Sequence, residues 1–98
     1  MEKPTPHCKL TVVKALIQEG RVRITGSALV GAAALGFDAT EIVGAVAALT
    51  TRDFYKSMTT YADNKIWQDV YRPHTKAGRV YLKLIVIDDV LVVSFKEL

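Results

Sequence analysis

Apolar positions change their period once along this 98-residue chain. Over residues 9–19 the apolar Leu10, Val13, Leu16 and Ile17 fall at i, i+3, i+6 and i+7, the stripe of an amphipathic helix. Gly20 suits the left-handed residue that ends such a helix. Residues 21–24 read as a short extended link. A second helix is predicted from Ser27, as its N-cap, to the residue before Gly36. Asp38-Ala39-Thr40-Glu41 announces a third: the aspartate can accept from the N3 amide while the glutamate reaches back to the cap. The apolar residues 42–49 follow, with Gly44, Ala45, Ala47 and Ala48 small enough for close approach to a neighbour. Helices this apolar all round are expected against other elements and not in water. Pro4 and Pro6 make the opening residues an extended arm.

After Thr51 the period falls to two. Residues 54–61, 66–72, 79–87 and 90–96 are rich in β-branched and aromatic side chains and are predicted strands. The short connections at 62–65, 73–78 and 88–89 make them successive antiparallel hairpins. Helices followed by a β-meander give an α+β class, with N-terminal helices packed on one face of a C-terminal antiparallel sheet.

The last hairpin has a testable register. A two-residue turn at Asp88-Asp89 sets Ile87 opposite Val90, Tyr81 opposite Lys96 and Lys83 opposite Ser94. Leu82, Leu84 and Val86 then share an apolar face with Phe95, Val93 and Leu91, while Arg79 extends the polar face. A one-residue slip would mix the two sides. In the strand at 54–61, Lys56 and Met58 share a side. Gln68 is ambiguous, because Ile66 and Val70 accompany it.

Composition narrows the class. Half the residues are hydrophobic and 23% are charged, a balance that rules out intrinsic disorder, and the length fits a single domain over residues 1–98. One cysteine, Cys8, excludes an intrachain disulfide and a multi-cysteine zinc site, and it suits a reducing cytoplasm. The longest uncharged stretch, 24–37, has 14 residues, short of the about 20 that span a bilayer, so no membrane partner is expected. Thirteen basic residues against ten acidic give +3, compatible with a polyanion without requiring one. The distribution says more than the sum. Lys56, Arg79, Lys83 and Lys96 alternate within predicted strands, interleaved with Tyr55, Tyr61, Trp67, Tyr71 and Tyr81. Such a sheet can hold single-stranded RNA through phosphate attraction and base stacking, or it can be an ordinary solvated face whose lysines discourage edge pairing.

No metal site is expected. Asp88-Asp89 belongs to a turn, Asp53, Asp63 and Asp69 form no motif, and His7-Cys8 lies in an arm. His74 reads as a loop residue. Cleavage of RNA without metal needs a base for the 2′-hydroxyl, an acid for the departing 5′-oxygen and positive charge on the phosphorane. Lys56, Gln68, Tyr81 and Lys96 suffice chemically, although composition cannot show that they converge. A non-catalytic module that binds RNA or a partner is the rival reading. A DNA-binding regulator fits poorly, since no helix carries the Arg, Asn or Gln cluster of a recognition helix.

Three runs carry a resemblance: Asp53-Phe54-Tyr55-Lys56-Ser57-Met58-Thr59-Thr60-Tyr61, Ile66-Trp67-Gln68-Asp69-Val70-Tyr71-Arg72-Pro73 and Val93-Ser94-Phe95-Lys96-Glu97. With Met1-Glu2-Lys3 and Thr5-Pro6-His7, they resemble the motility quorum-sensing regulator (MqsR) family of type II toxins over essentially the whole chain. The resemblance implies a RelE/YoeB-like ribonuclease fold and a ribosome-independent mRNA interferase that cleaves at GCU-type sites without a cofactor. It implies Lys56, Gln68 and Tyr81 as catalytic residues and Met58 and Lys96 as further important ones; Arg79 and Lys83, from the alternation of basic residues in the strands, add charge for RNA. Lys56 would be the base or the main phosphate stabiliser, and Tyr81 the acid or a phosphate-orienting hydroxyl. The partner it implies is a separate MqsA-like antitoxin, zinc-binding and with a helix-turn-helix domain, through which alone operator DNA is reached.

Overall fold

The computed structural model describes residues 1–98 and contains a mostly antiparallel sheet with three helices on one side. The α+β class expected from the two periods is the observed one. In chain order the elements are β1 (Glu2–Lys3), α1 (Leu10–Gln18), β2 (Val22–Ile24), α2 (Gly26–Ala34), α3 (Ala39–Ala47), a single 3₁₀ turn (Thr51–Asp53), β3 (Phe54–Thr59), β4 (Trp67–Tyr71), β5 (His74–Thr75), β6 (Gly78–Val86) and β7 (Val90–Glu97). The sheet order is β1-β3-β4-β6-β7-β2, with β5 paired to β6 as a small flap. No single helix is long and apolar enough to cross a membrane.

The meander β3-β4-β6-β7 forms as the period predicts, and both sheet edges are closed by pieces of the N-terminal half. The arm begins as β1, antiparallel to β3 with Glu2 opposite Met58 and Lys3 opposite Ser57. The link after α1 is β2, parallel to β7 with Arg23 opposite Leu91. Segments of two and three residues have too little pattern to announce a strand; the bare edges of β3 and β7 recruit them.

Helix α1 ends at Gly20, which has φ +74. Helix α3 opens with both halves of its capping box made, Asp38 accepting from the Glu41 amide at 2.8 Å and Glu41 from the Asp38 amide at 3.1 Å. Helix α2 starts earlier than expected. Thr25, not Ser27, is the N-cap: its hydroxyl accepts from Ala28 N at 3.2 Å and donates to the Val93 carbonyl at 3.3 Å. Thr25 wins because it continues β2 and can reach β7. A Cβ on Gly31 would collide with the Phe95 carbonyl oxygen, so α2 lies almost on the backbone of β7. Only Ala28 and Ala32 of α2 are fully buried, and Val30 is 73% exposed. The expectation that this apolar helix lies against other elements and not in water therefore holds on one side only: it shields the free stretch of the β7 edge, and no further layer lies above it.

The core joins Val13, Ala28, Ala32, Phe37, Ile42, Val46 and Leu49 from the helical half to Tyr71, Val80, Leu82, Leu84, Val90, Val92 and Phe95 from the sheet. The helices cover the β6-β7 side, whereas the arm covers the back of β3 and β4. There His7 stacks on Trp67 at 5.7 Å, and the buried Asp69 carboxylate accepts from the His7 and Cys8 amides at 2.9 Å each and from the Ser57 hydroxyl.

The β6-β7 register matches expectation at its open end and departs from it near the turn. Tyr81 faces Lys96, Lys83 faces Ser94 and Leu82 faces Phe95, but Leu84 faces Val92 and Val86 faces Val90. The turn therefore holds three residues, 87–89, and Val93 is the extra residue of a bulge. Val90 and Val92 point to the core in place of Leu91 and Val93. Residues 90–93 are apolar at every position, so hydrophobicity cannot choose between the two registers.

Candidate active site

Alternation along four strands brings one set of polar side chains to the sheet face away from the helices. Pairing carries the set across: Lys56 of β3 lies opposite Val70 of β4, Val70 opposite Lys83 of β6, and Lys83 opposite Ser94 of β7. Rows on either side hold Met58 opposite Gln68 and Tyr81 opposite Lys96. Strands are spaced about 4.8 Å apart, so Lys56 and Lys83 bracket β4 at roughly 10 Å. Val70, fully buried between them, is an apolar floor.

Tyr81 sits under two ammonium groups, with Lys96 Nζ 5.2 Å and Lys83 Nζ 5.8 Å from its ring centroid. Burial, and secondarily the Lys96 charge, pull the Lys83 pKa below its ordinary value. Lys56 goes the other way. Its Nζ donates to Glu2 Oε2 at 2.7 Å, and that carboxylate raises the lysine pKa. Gln68 is 9% exposed and shares the face with Met58, which resolves the ambiguity left by its apolar neighbours.

A second bulge shapes the site. Between Phe54 and Lys56 the β3-β4 register shifts, leaving Tyr55 unpaired. Phe54 turns inward against Tyr71 at 5.4 Å, and Tyr55 lies outward beneath the Arg72 guanidinium, 3.5 Å from the ring centroid. Lys56 Nζ is 5.3 Å from the same ring. Arg72 Nε is buried with no hydrogen-bond partner. Arg79, at the rim of the face, donates to the Arg72 carbonyl at 3.4 Å.

Of the residues proposed from sequence, Lys56, Met58, Gln68, Tyr81, Lys83 and Lys96 thus share one face, and Arg79 is marginal. Sequence reasoning missed Arg72 and Glu2, and it named Tyr55 only among the interleaved aromatic residues. Arg72 was findable, since it continues the alternation of Gln68 and Val70. Tyr55 depends on a bulge and Glu2 on a two-residue strand, neither of which leaves a periodic signal. His7 and Cys8 belong to the back of the sheet, where burial and Asp69 raise the Cys8 thiol pKa. No three His, Cys, Asp or Glu side chains are grouped so as to hold a metal ion.

Chemically, the face offers three ammonium groups, a guanidinium, two phenols and an amide around an apolar floor. That inventory suits a phosphodiester, which needs cations for its oxygens and a proton for its leaving group.

A family model described as "Motility quorum-sensing regulator, toxin of MqsA" matches residues 5–97. The chain is also 57% identical over 97 residues to the curated mRNA interferase toxin MqsR of Escherichia coli strain K12, covering 99% of both chains.

Proposed function

The chain belongs to the motility quorum-sensing regulator toxin family, and from that premise we propose that it is an mRNA interferase, an endoribonuclease toxin that inhibits translation and growth by cutting messages. The observation that carries the reading is the gathering of Lys56, Gln68, Tyr81, Lys83 and Lys96 on one solvent-facing side of the sheet. Cleavage proceeds by attack of the RNA 2′-hydroxyl on the adjacent phosphate, without a metal ion or the ribosome, and at GCU-type sites. A MqsA-type antitoxin is the protein partner, and operator DNA is contacted only through it.

The two opposed lysine shifts divide the labour. Lys56, whose pKa Glu2 raises in the free protein, arrives at the phosphate protonated and acts as the cation on the phosphorane. Lys83, whose neutral form burial and Lys96 favour, takes the 2′-hydroxyl proton. Tyr81 delivers a proton to the departing 5′-oxygen, with the Lys83 and Lys96 ammonium groups close to its ring. Lys96 and Arg72 neutralise phosphate charge, Gln68 hydrogen-bonds a phosphate oxygen or a base edge, and Met58 supports the base beside it.

Mapping RNA ends after incubation with a chelator present tests this. Wild-type protein is expected to leave 2′,3′-cyclic phosphate ends, and Lys56→Ala to lower the cleavage rate by about 10²–10³. RNA that is bound and left intact by the wild type would instead identify a binding module.

A further inference from the structure

Three ion pairs form in this protein, and only one of them involves a candidate catalytic residue. It joins Lys56 Nζ to Glu2 Oε2 at 2.7 Å. Lys83, Lys96 and Arg72 have no carboxylate partner. The groups that face Lys56 are Glu2 from β1, Tyr55 from its own strand and Tyr81 from β6. Glu2 reaches the lysine because β1 places it opposite Met58, on the same side of the sheet. Next to that pair, Thr59 N donates to the Met1 carbonyl at 3.0 Å and the Met1 amino group to Thr59 Oγ1 at 3.0 Å. The backbone of β1 is thus fixed, while the Glu2 side chain stays 59% exposed and free to rotate away.

A carboxylate oxygen and a phosphate oxygen accept from an ammonium group at the same range of distances. We propose that Glu2 is a built-in stand-in for a substrate phosphate, a positioning residue whose carboxylate holds Lys56 over the sheet and must be displaced when RNA engages that lysine. The inference rests on the reading of this face as an RNA site. Two anions cannot share Lys56 without repulsion, so RNA binding breaks the pair, and Glu2 lowers the affinity of the resting protein. Because Lys56 is already held extended, it needs little reordering when the phosphate arrives.

The test is the binding of a 2′-O-methyl oligoribonucleotide, which lacks the attacking hydroxyl and stays whole, across a salt series. Glu2→Gln keeps the shape of the side chain and removes its charge. It is expected to bind about two- to fivefold more tightly than wild type, the scale of an exposed ion pair. The slope of log K against log salt should stay that of wild type, because Lys56 makes the same phosphate contact in both once Glu2 has swung away. Glu19→Gln, which removes the same charge at the exposed C-terminal end of α1, should change neither quantity. Glu2→Gln in a Lys56→Met background should show no gain. Equal or weaker binding by Glu2→Gln, a matching gain in Glu19→Gln, or a gain that survives Lys56→Met would each overturn the proposal. A wild type that binds this oligonucleotide but leaves unmodified RNA uncut would refute the nuclease reading and leave the binding comparison standing.

Discussion

Tyr81 shows how much one side chain can owe to its neighbours. Its hydroxyl is bound to no protein group, so its surroundings are the Lys83 and Lys96 ammonium groups that approach the ring. Tyr81→Phe removes an oxygen and leaves the β6-β7 pairing alone. Cleavage should fall by about 10²–10⁴, as for loss of a general acid, with an unchanged thermal midpoint; full activity would make the ring a stacking platform only. Lys83 carries a pH prediction with a definite sign. Its free-protein pKa lies below the ordinary lysine value, and a base works only when deprotonated. Therefore kcat/KM should rise with pH through that lowered pKa, and Lys83→Met should abolish the rising limb. At this scale the sequence was informative where alternation runs unbroken: Lys56 with Met58, and Tyr81 opposite Lys96. It was silent on Glu2, because an ion pair between residues 54 positions apart leaves no local pattern.

At the scale of elements, α2 is governed by a single close approach. In an isolated helix Gly31→Ala would add about 1 kcal/mol of stability through propensity. Here the new methyl group meets the Phe95 carbonyl oxygen, a backbone atom that cannot swing away, and α2 must lift off β7. Overpacking of this kind costs about 1–3 kcal/mol, so the clash wins and the net effect is destabilising. Urea denaturation decides it, and a raised midpoint would refute the close-contact account. The three helices were legible because stripes and a capping box are local signals. β1 and β2 were not, since they exist only as complements to edges made later in the chain. The bulge at Val93 escaped for the opposite reason: valine or leucine at every position from 90 to 93 satisfies either face.

On the scale of the whole molecule, two different coverings share the back of one sheet. Helices bury the β6-β7 side, and the arm closes the β3-β4 side through Asp69. Asp69→Ala would leave the Cys8 amide and the Ser57 hydroxyl without their acceptor, whereas the His7 amide keeps Ser57 Oγ at 3.2 Å. Each unpaired buried donor costs about 1–3 kcal/mol, so a total of about 2 kcal/mol or more is expected in urea denaturation. A loss below about 1 kcal/mol would mean that the arm is not held by this carboxylate. From sequence Asp69 belonged to no motif, because its partners are mostly backbone amides, which every residue but proline possesses. The α+β class and the existence of one polar face were legible, as they follow from the two periods. The convergence of cations was not: formal charge over the chain is only +3, and pairing, not composition, assembles the cluster.

The surplus residues at the tip and in the body of the last hairpin cancel one another. Ile87 lengthens the connection by one, Val93 takes up one within β7, and the hairpin regains its phase before Lys96. The tip is thereby insulated from the chemistry. Residues could be gained or lost around Asp88-Asp89, and a shift in beat there would be absorbed at Val93 without rotating Lys96 away from Tyr81.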